Sequence, residues 1–126
     1  MDTAQARAIY ELMMITAWAD GRLDMSETLV AEAVVAEVPE IMAVSNKTEI
    51  AARAKQRLQD SGLEKALREA AAGLGEAWHR ELAFVCCARV LEADGVIAQE
   101  EFLVLSQLKR LFGLRTEDVA RLLRRS

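Results

Sequence analysis

The 126-residue chain is predicted to fold as a compact all-α bundle of about seven helices, forming a single domain over residues 1–126. Strong helix formers dominate, with 22 Ala and 16 Leu, while Pro occurs once and Gly six times. Apolar residues recur three or four positions apart, and no stretch shows the alternation of a half-buried strand.

Composition excludes several classes of protein. A hydrophobic fraction of 52% argues against long disorder, and two Cys are too few for a disulfide scaffold. The N-terminus lacks the features of a signal peptide, and no run of roughly 18 apolar residues predicts a transmembrane segment. We therefore expect a cytoplasmic protein.

The first two helices form a hairpin. One helix is predicted from Ala4 to Trp18, and its apolar residues cover most of its surface, which is typical of a central helix. Asp20 and Gly21 end it in a tight turn. The second helix begins near residues 24–26 and stops before Pro39, which disfavours helical geometry at the preceding residue.

The middle of the chain contains two further helices. A loop or short turn is expected at Glu40–Ser45, and the third helix then runs to Leu58. A capping box is predicted at residues 61–64, before a fourth helix that reaches Leu74 with a regular apolar period.

The C-terminal part repeats the helical hairpin. The fifth helix covers Glu76–Glu92, the sixth runs from Ala98 to Phe112 with Phe102 as a core candidate, and Thr116 caps a short seventh helix. Short connections favour antiparallel neighbours.

An internal repeat relates the two hairpins. At an offset of 74, residues 19–27 align with residues 93–101 in the shared pattern A-D-G-x-[LI]-x-x-x-E. Tyr10 aligns with Phe84 in the same register. Two pseudo-symmetric helical hairpins, packed together, are therefore predicted.

The repeated turns have the spacing of part of a calcium-binding loop. With Asp20 as the fifth of twelve loop positions, Gly21 is the sixth and Glu27 the twelfth. The second copy has the same register, with Asp94, Gly95 and Glu101. In an EF-hand the sixth position needs Gly for its sharp turn, and the twelfth supplies a bidentate Glu.

Neither copy carries the acidic first and third positions of a full calcium loop, because those positions are Thr16 and Trp18, then Val90 and Glu92. If the hairpins meet, one cation can be shared by Asp20, Glu27, Asp94 and Glu101, with Asp24 or Glu100 in or near the shell. Oxygen ligands favour Ca²⁺, Mg²⁺ or Mn²⁺.

The same acids have a purely structural interpretation. Asp20 and Asp94 can shape their turns through local backbone amides, and Glu27 can complete a capping box with Asp24. The chain is then a protein-interaction scaffold. The sequence leaves both alternatives open.

The paired turns at Asp20–Glu27 and Asp94–Glu101 resemble those of the tellurite-resistance TerB family, and of the related N-terminal region of DjlA-type co-chaperones. This resemblance implies a bundle of helices, an acidic metal-binding centre, a role in stress response and protein partners at the membrane. The motif positions that carry it are Asp20, Gly21, Glu27, Asp94, Gly95 and Glu101.

No pattern of catalytic residues stands out, so a non-enzymatic role is predicted. His79 is the only His and lacks a companion Ser or Cys at triad spacing. Cys86 and Cys87 lie in an apolar run and are expected to be reduced core thiols. The net charge of −6 over residues 1–45 disfavours phosphate backbones, so nucleic acid is not expected as a partner. Residues 46–126 carry +2, and their basic tail from Lys109 is either a solvated face or a contact for nucleic acid or anionic lipid.

Overall fold

A computed structural model of the chain describes residues 1–19, 25–93 and 99–125, and these residues form eight helices and no strand. The predicted all-α class is confirmed. In chain order the helices are α1 Thr3–Ala17, α2 Met25–Glu37, α3 Pro39–Met42, α4 Lys47–Ser61, α5 Leu63–Ala71, α6 Ala77–Leu91, α7 Gln99–Phe112 and α8 Thr116–Arg125.

The helix α1 is the centre of the bundle. Every residue from Glu11 to Ala17 is buried, and α1 packs against α4, α5 and α6. It begins at a capping box, in which the Asp2 carboxylate accepts a hydrogen bond from the backbone N–H of Gln5 at 2.9 Å and the Gln5 side chain accepts one from Asp2 N–H. Because apolar side chains lie on most sides of α1, the domain is stabilised when other helices enclose α1 and remove these side chains from water.

The remaining helices pack around α1 and α6. The second helix of each hairpin, α2 or α7, contacts α6, while α8 packs on α6 and α4 packs on α1. The continuous core includes Ile9, Leu12, Phe84, Leu91 and Leu108, all at most 1% exposed.

Three local expectations differ from the structure. The segment predicted as a loop contains the single-turn helix α3, because Pro39 both ends α2 and occupies the first turn of a new helix. The expected capping box at Ser61 does not form: Ser61 stays in α4, and Gly62 alone joins α4 to α5 with φ 83° and ψ 168°. Phe102 is 63% exposed instead of belonging to the core.

Within the described part of the chain, no helix combines the length and the apolar character needed to cross a bilayer.

Candidate functional site

Glu27 is the one predicted metal ligand whose side chain the structure describes. It lies in the first turn of α2, directly after the first acidic turn, and is only 5% exposed. A glutamate that served only the helix dipole could remain in solvent at this position, where such charges contribute about 0.3–1 kcal/mol. Burial of a carboxylate instead requires polar or cationic partners around it.

The other predicted ligands and turn glycines lie outside the described residues. Asp20, Gly21 and Asp24 fall in residues 20–24, and Asp94 and Gly95 fall in residues 94–98. Glu101 belongs to α7, but its side chain is not among those described, and the same holds for Glu100. Within residues 1–19, 25–93 and 99–125, no group of three or more His, Cys, Asp or Glu side chains is placed to hold a metal ion.

The two helices that lead into the acidic turns are neighbours. The hydroxyl of Thr16, one residue before the end of α1, lies beside the thiol of Cys87 in the last part of α6, although the pair falls short of a well-formed hydrogen bond. Burial raises the pKa of this thiol, and the Thr16 hydroxyl offsets only part of that rise. A second contact joins the hairpins near the ends of α2 and α6, where the Arg89 guanidinium donates to the Glu37 carboxylate. The C-terminal parts of α1 and α6 therefore lie side by side.

A groove between α1 and α2, here called the first groove, has a volume of about 260 Å³. Two of its residues are Met14 and Lys47, and the Lys47 ammonium donates to the carbonyls of Met42 and Val44 at 2.7 Å each. Its other lining residues are Tyr10, Thr28, Ala31, Glu32 and Val35. Burial raises the pKa of Tyr10, and the nearby Glu32 carboxylate raises it further.

A second groove of about 260 Å³ lies between α6 and α7 and is closed on one side by Val119 and Leu123 of α8. Its other lining residues are Phe84, Phe102, Leu105, Ser106 and Lys109. Each of these five residues lies 74 positions after a lining residue of the first groove, in the order Tyr10, Thr28, Ala31, Glu32 and Val35. The repeat in the turns thus extends to the groove of each hairpin. The helix packing is less symmetric, because among the described residues α2 packs more on α6 than on α1, whereas α7 packs on α6 and not comparably on α1.

The duplication includes a third helix in each unit. After the first hairpin, α4 packs on α1 and contributes Lys47 to the first groove. After the second hairpin, α8 packs on α6 and contributes Val119 and Leu123 to the second groove. The helices α3 and α5 have no counterpart among the described helices of the second unit, and the sequence alignment of the turns alone could not reveal the similar packing of α4 and α8.

Exposed apolar side chains also occupy equivalent positions. Leu29 on α2 is 59% exposed, and its counterpart Leu103 on α7 is 49% exposed. Each lies two residues after the glutamate of its motif. Single exposed leucines are ordinary on protein surfaces, but the same exposure at both copies of a repeat marks a surface shared by the two hairpins.

Three further buried side chains with polar atoms belong to α6. His79 is 2% exposed, its ring packs on Trp78 with centroids 4.0 Å apart, and neither of its nitrogens has a hydrogen-bond partner among the described residues. Cys86 and Cys87 are buried free thiols, as the sequence predicted, and burial raises their pKa values to about 11 and about 12. Thiols held protonated in this way are poor nucleophiles at neutral pH.

Comparisons with protein-family models, with curated proteins and with solved structures find no match to this chain. The resemblance to the TerB family therefore depends on the repeated turn pattern alone.

Proposed function

We propose that the chain is a non-catalytic, TerB-like module that binds a divalent cation between the acidic turns of its two hairpins. The observation that carries this proposal is the burial of Glu27, at 5% exposure, in the first helical turn after the Asp20 motif. The proximity of the C-terminal parts of α1 and α6 supports a shared site, because both turns follow these helices in the chain.

The donor set suits a hard cation. The proposed ligands are carboxylates, from Asp20, Asp24, Glu27, Asp94 and Glu101, and such oxygen ligands favour Ca²⁺, Mg²⁺ or Mn²⁺ over softer metals. Several acids gathered in one volume repel one another, and a cation relieves that repulsion. Binding would then couple ion concentration to the stability of the bundle, which is a sensing function consistent with the stress response that the TerB resemblance implies.

Thermal unfolding with and without metal tests the proposal. A ligand that binds only the native state at 100 times its Kd stabilises by about 2.7 kcal/mol, so Ca²⁺ or Mn²⁺ is expected to raise the melting temperature. The double variant Glu27→Gln/Glu101→Gln should lose this response while keeping its helical spectrum. The control Glu40→Gln/Glu64→Gln removes two exposed acids outside the motifs and should respond like the wild type. An unchanged melting temperature at millimolar metal would contradict the proposal.

A second candidate function is a protein-interaction scaffold, favoured by the matched exposure of Leu29 and Leu103. Partners of this surface would be proteins, including membrane-associated ones if the TerB resemblance extends to them. The variant Leu29→Ser/Leu103→Ser should stay folded and lose proteins that crosslink to the wild type. Met42→Ser, at an equally exposed site outside the repeat, is the control and should retain them. Identical crosslinked proteins from the double variant and the control would exclude this surface.

A further inference from the structure

A third cavity, on the face of the bundle where α1, α4 and α5 meet, is unrelated to the acidic turns. It is a wide depression, largely open to solvent, with a volume of about 610 Å³. Three arginines line it: Arg7 from α1, and Arg53 and Arg57 from α4. We call it the arginine cleft.

The wall of the arginine cleft holds a buried carboxylate. Glu11 is 8% exposed, and its Oε1 lies 3.8 Å from Arg53 Nε and 3.6 Å from an Arg57 terminal nitrogen, without a hydrogen bond to either. At these distances the Glu11 carboxylate attracts both guanidinium groups to one side of the cleft, but it accepts no hydrogen bond from their N–H groups. Most of their N–H groups therefore stay available for an anion.

Arg7 adds a third guanidinium group to the arginine cleft. Among the described residues it makes no ion pair and no side-chain hydrogen bond. At the offset of 74, the residue that corresponds to Arg7 is Glu81. The Glu81 carboxylate accepts a hydrogen bond of 2.8 Å from Arg121 of α8. In the second unit the residue at this position therefore forms an ion pair within the protein. In the first unit, Arg7 lines the arginine cleft and forms no ion pair with another described residue.

We infer that the arginine cleft binds a small phosphate monoester that carries hydroxyl groups. A planar carboxylate is satisfied by one or two guanidinium forks, whereas the three terminal oxygens of a phosphate monoester can accept from three. Glu69, from α5, lines the same cleft, forms no ion pair with another described residue, and provides an acceptor for a ligand hydroxyl group. The cavity is also larger than phosphate alone needs.

Calorimetric titration of the full chain with ribose 5-phosphate tests this site. We expect saturable binding with a Kd below about 1 mM, weaker binding of inorganic phosphate, and none of ribose or acetate at the same concentration. Binding of acetate as tight as that of ribose 5-phosphate would contradict a phosphate site, and tighter binding of inorganic phosphate would contradict a role for hydroxyl groups.

Two variants locate the site. Arg7→Gln removes a side chain that forms no ion pair within the described part of the chain, so the bundle should stay folded while affinity falls by about tenfold or more, as expected for a lost charge-assisted contact. Arg53→Gln, half exposed on α4, should weaken binding in the same direction. Arg68→Gln changes an exposed arginine of α5 outside the cleft and should leave the Kd unchanged. Absence of binding to the wild type, or equal losses in Arg7→Gln and Arg68→Gln, would overturn the inference.

Discussion

Replacing Gly62 by alanine is expected to destabilise the bundle through the backbone alone. Gly62 joins α4 to α5 with φ 83° and ψ 168°, a conformation that only glycine adopts readily. A Cβ added at this position meets no atom within 4 Å, so no steric clash contributes. The cost is the conformational strain itself, on the order of 1–3 kcal/mol.

The net effect is smaller than the strain. Alanine also restricts the unfolded chain, which offsets about 0.4–1 kcal/mol. With the strain at the middle of its range, about 2 kcal/mol, the net loss is about 1–1.6 kcal/mol. For a domain of this size, such a loss lowers the melting temperature by roughly 3–10 °C.

Gly75 provides the matched control. Its added Cβ also meets nothing within 4 Å, but its φ lies outside the left-handed range. Gly75→Ala should therefore be neutral or stabilising, by up to about 1 kcal/mol. Urea unfolding followed by circular dichroism compares the two variants, and equal stabilities for Gly62→Ala and Gly75→Ala would refute the reasoning.

Three further predictions concern buried and paired polar groups. Burial raises the thiol pKa values to about 11 for Cys86 and about 12 for Cys87, so at most about one thiol in a thousand is ionised at pH 8. A chromogenic disulfide reagent should therefore label both thiols only after unfolding, and rapid labelling of the native protein would contradict this. The hydrogen bond from Arg89 lowers the pKa of Glu37 below its ordinary 4.5, so the ion pair stabilises the fold above that pH and its contribution is lost as the pH falls through the lowered value. Glu37→Gln should accordingly be less stable than the wild type at pH 7 and equally stable at strongly acidic pH, and a constant difference in unfolding free energy across this range would count against the pair. His79→Leu removes two buried nitrogens that have no hydrogen-bond partner among the described residues. The free energy of unfolding should stay unchanged or rise by up to about 2 kcal/mol. A large decrease would show that the imidazole makes a stabilising hydrogen bond.

The order of the helices could be predicted because local signals agree with the packing. The apolar residues of α1 cover most of its surface, and burial from Glu11 to Ala17 follows directly. Local ambiguity explains the failures. Pro39 predicts the end of α2, but proline is equally suited to the first turn of α3. Residues 61–64 match a capping box in sequence, but the backbone freedom of Gly62 allows α4 to continue through Ser61.

The two grooves and the arginine cleft could not be predicted, because they form between helices and the periodicity of the sequence does not show which helices pack together. The offset of 74 was visible in the turns, yet the correspondence of the two grooves appears only when α2 and α7 are packed on α1 and α6. The arginine cleft combines Glu11 with Arg53, which lies 42 residues later and on a different helix. Taken separately, charges spaced four apart on a helix indicate an ordinary solvated face.

The number of metal ions bound per chain tests the central claim most directly. Titration of the protein with Mn²⁺, followed by the electron paramagnetic resonance signal of the free ion, counts bound ions without relying on stability. Because each turn supplies only half a coordination shell, the account predicts one ion per chain, lost when either Glu27→Gln or Glu101→Gln is introduced. Two independent ions, or none at millimolar Mn²⁺, would contradict a site shared between the two hairpins.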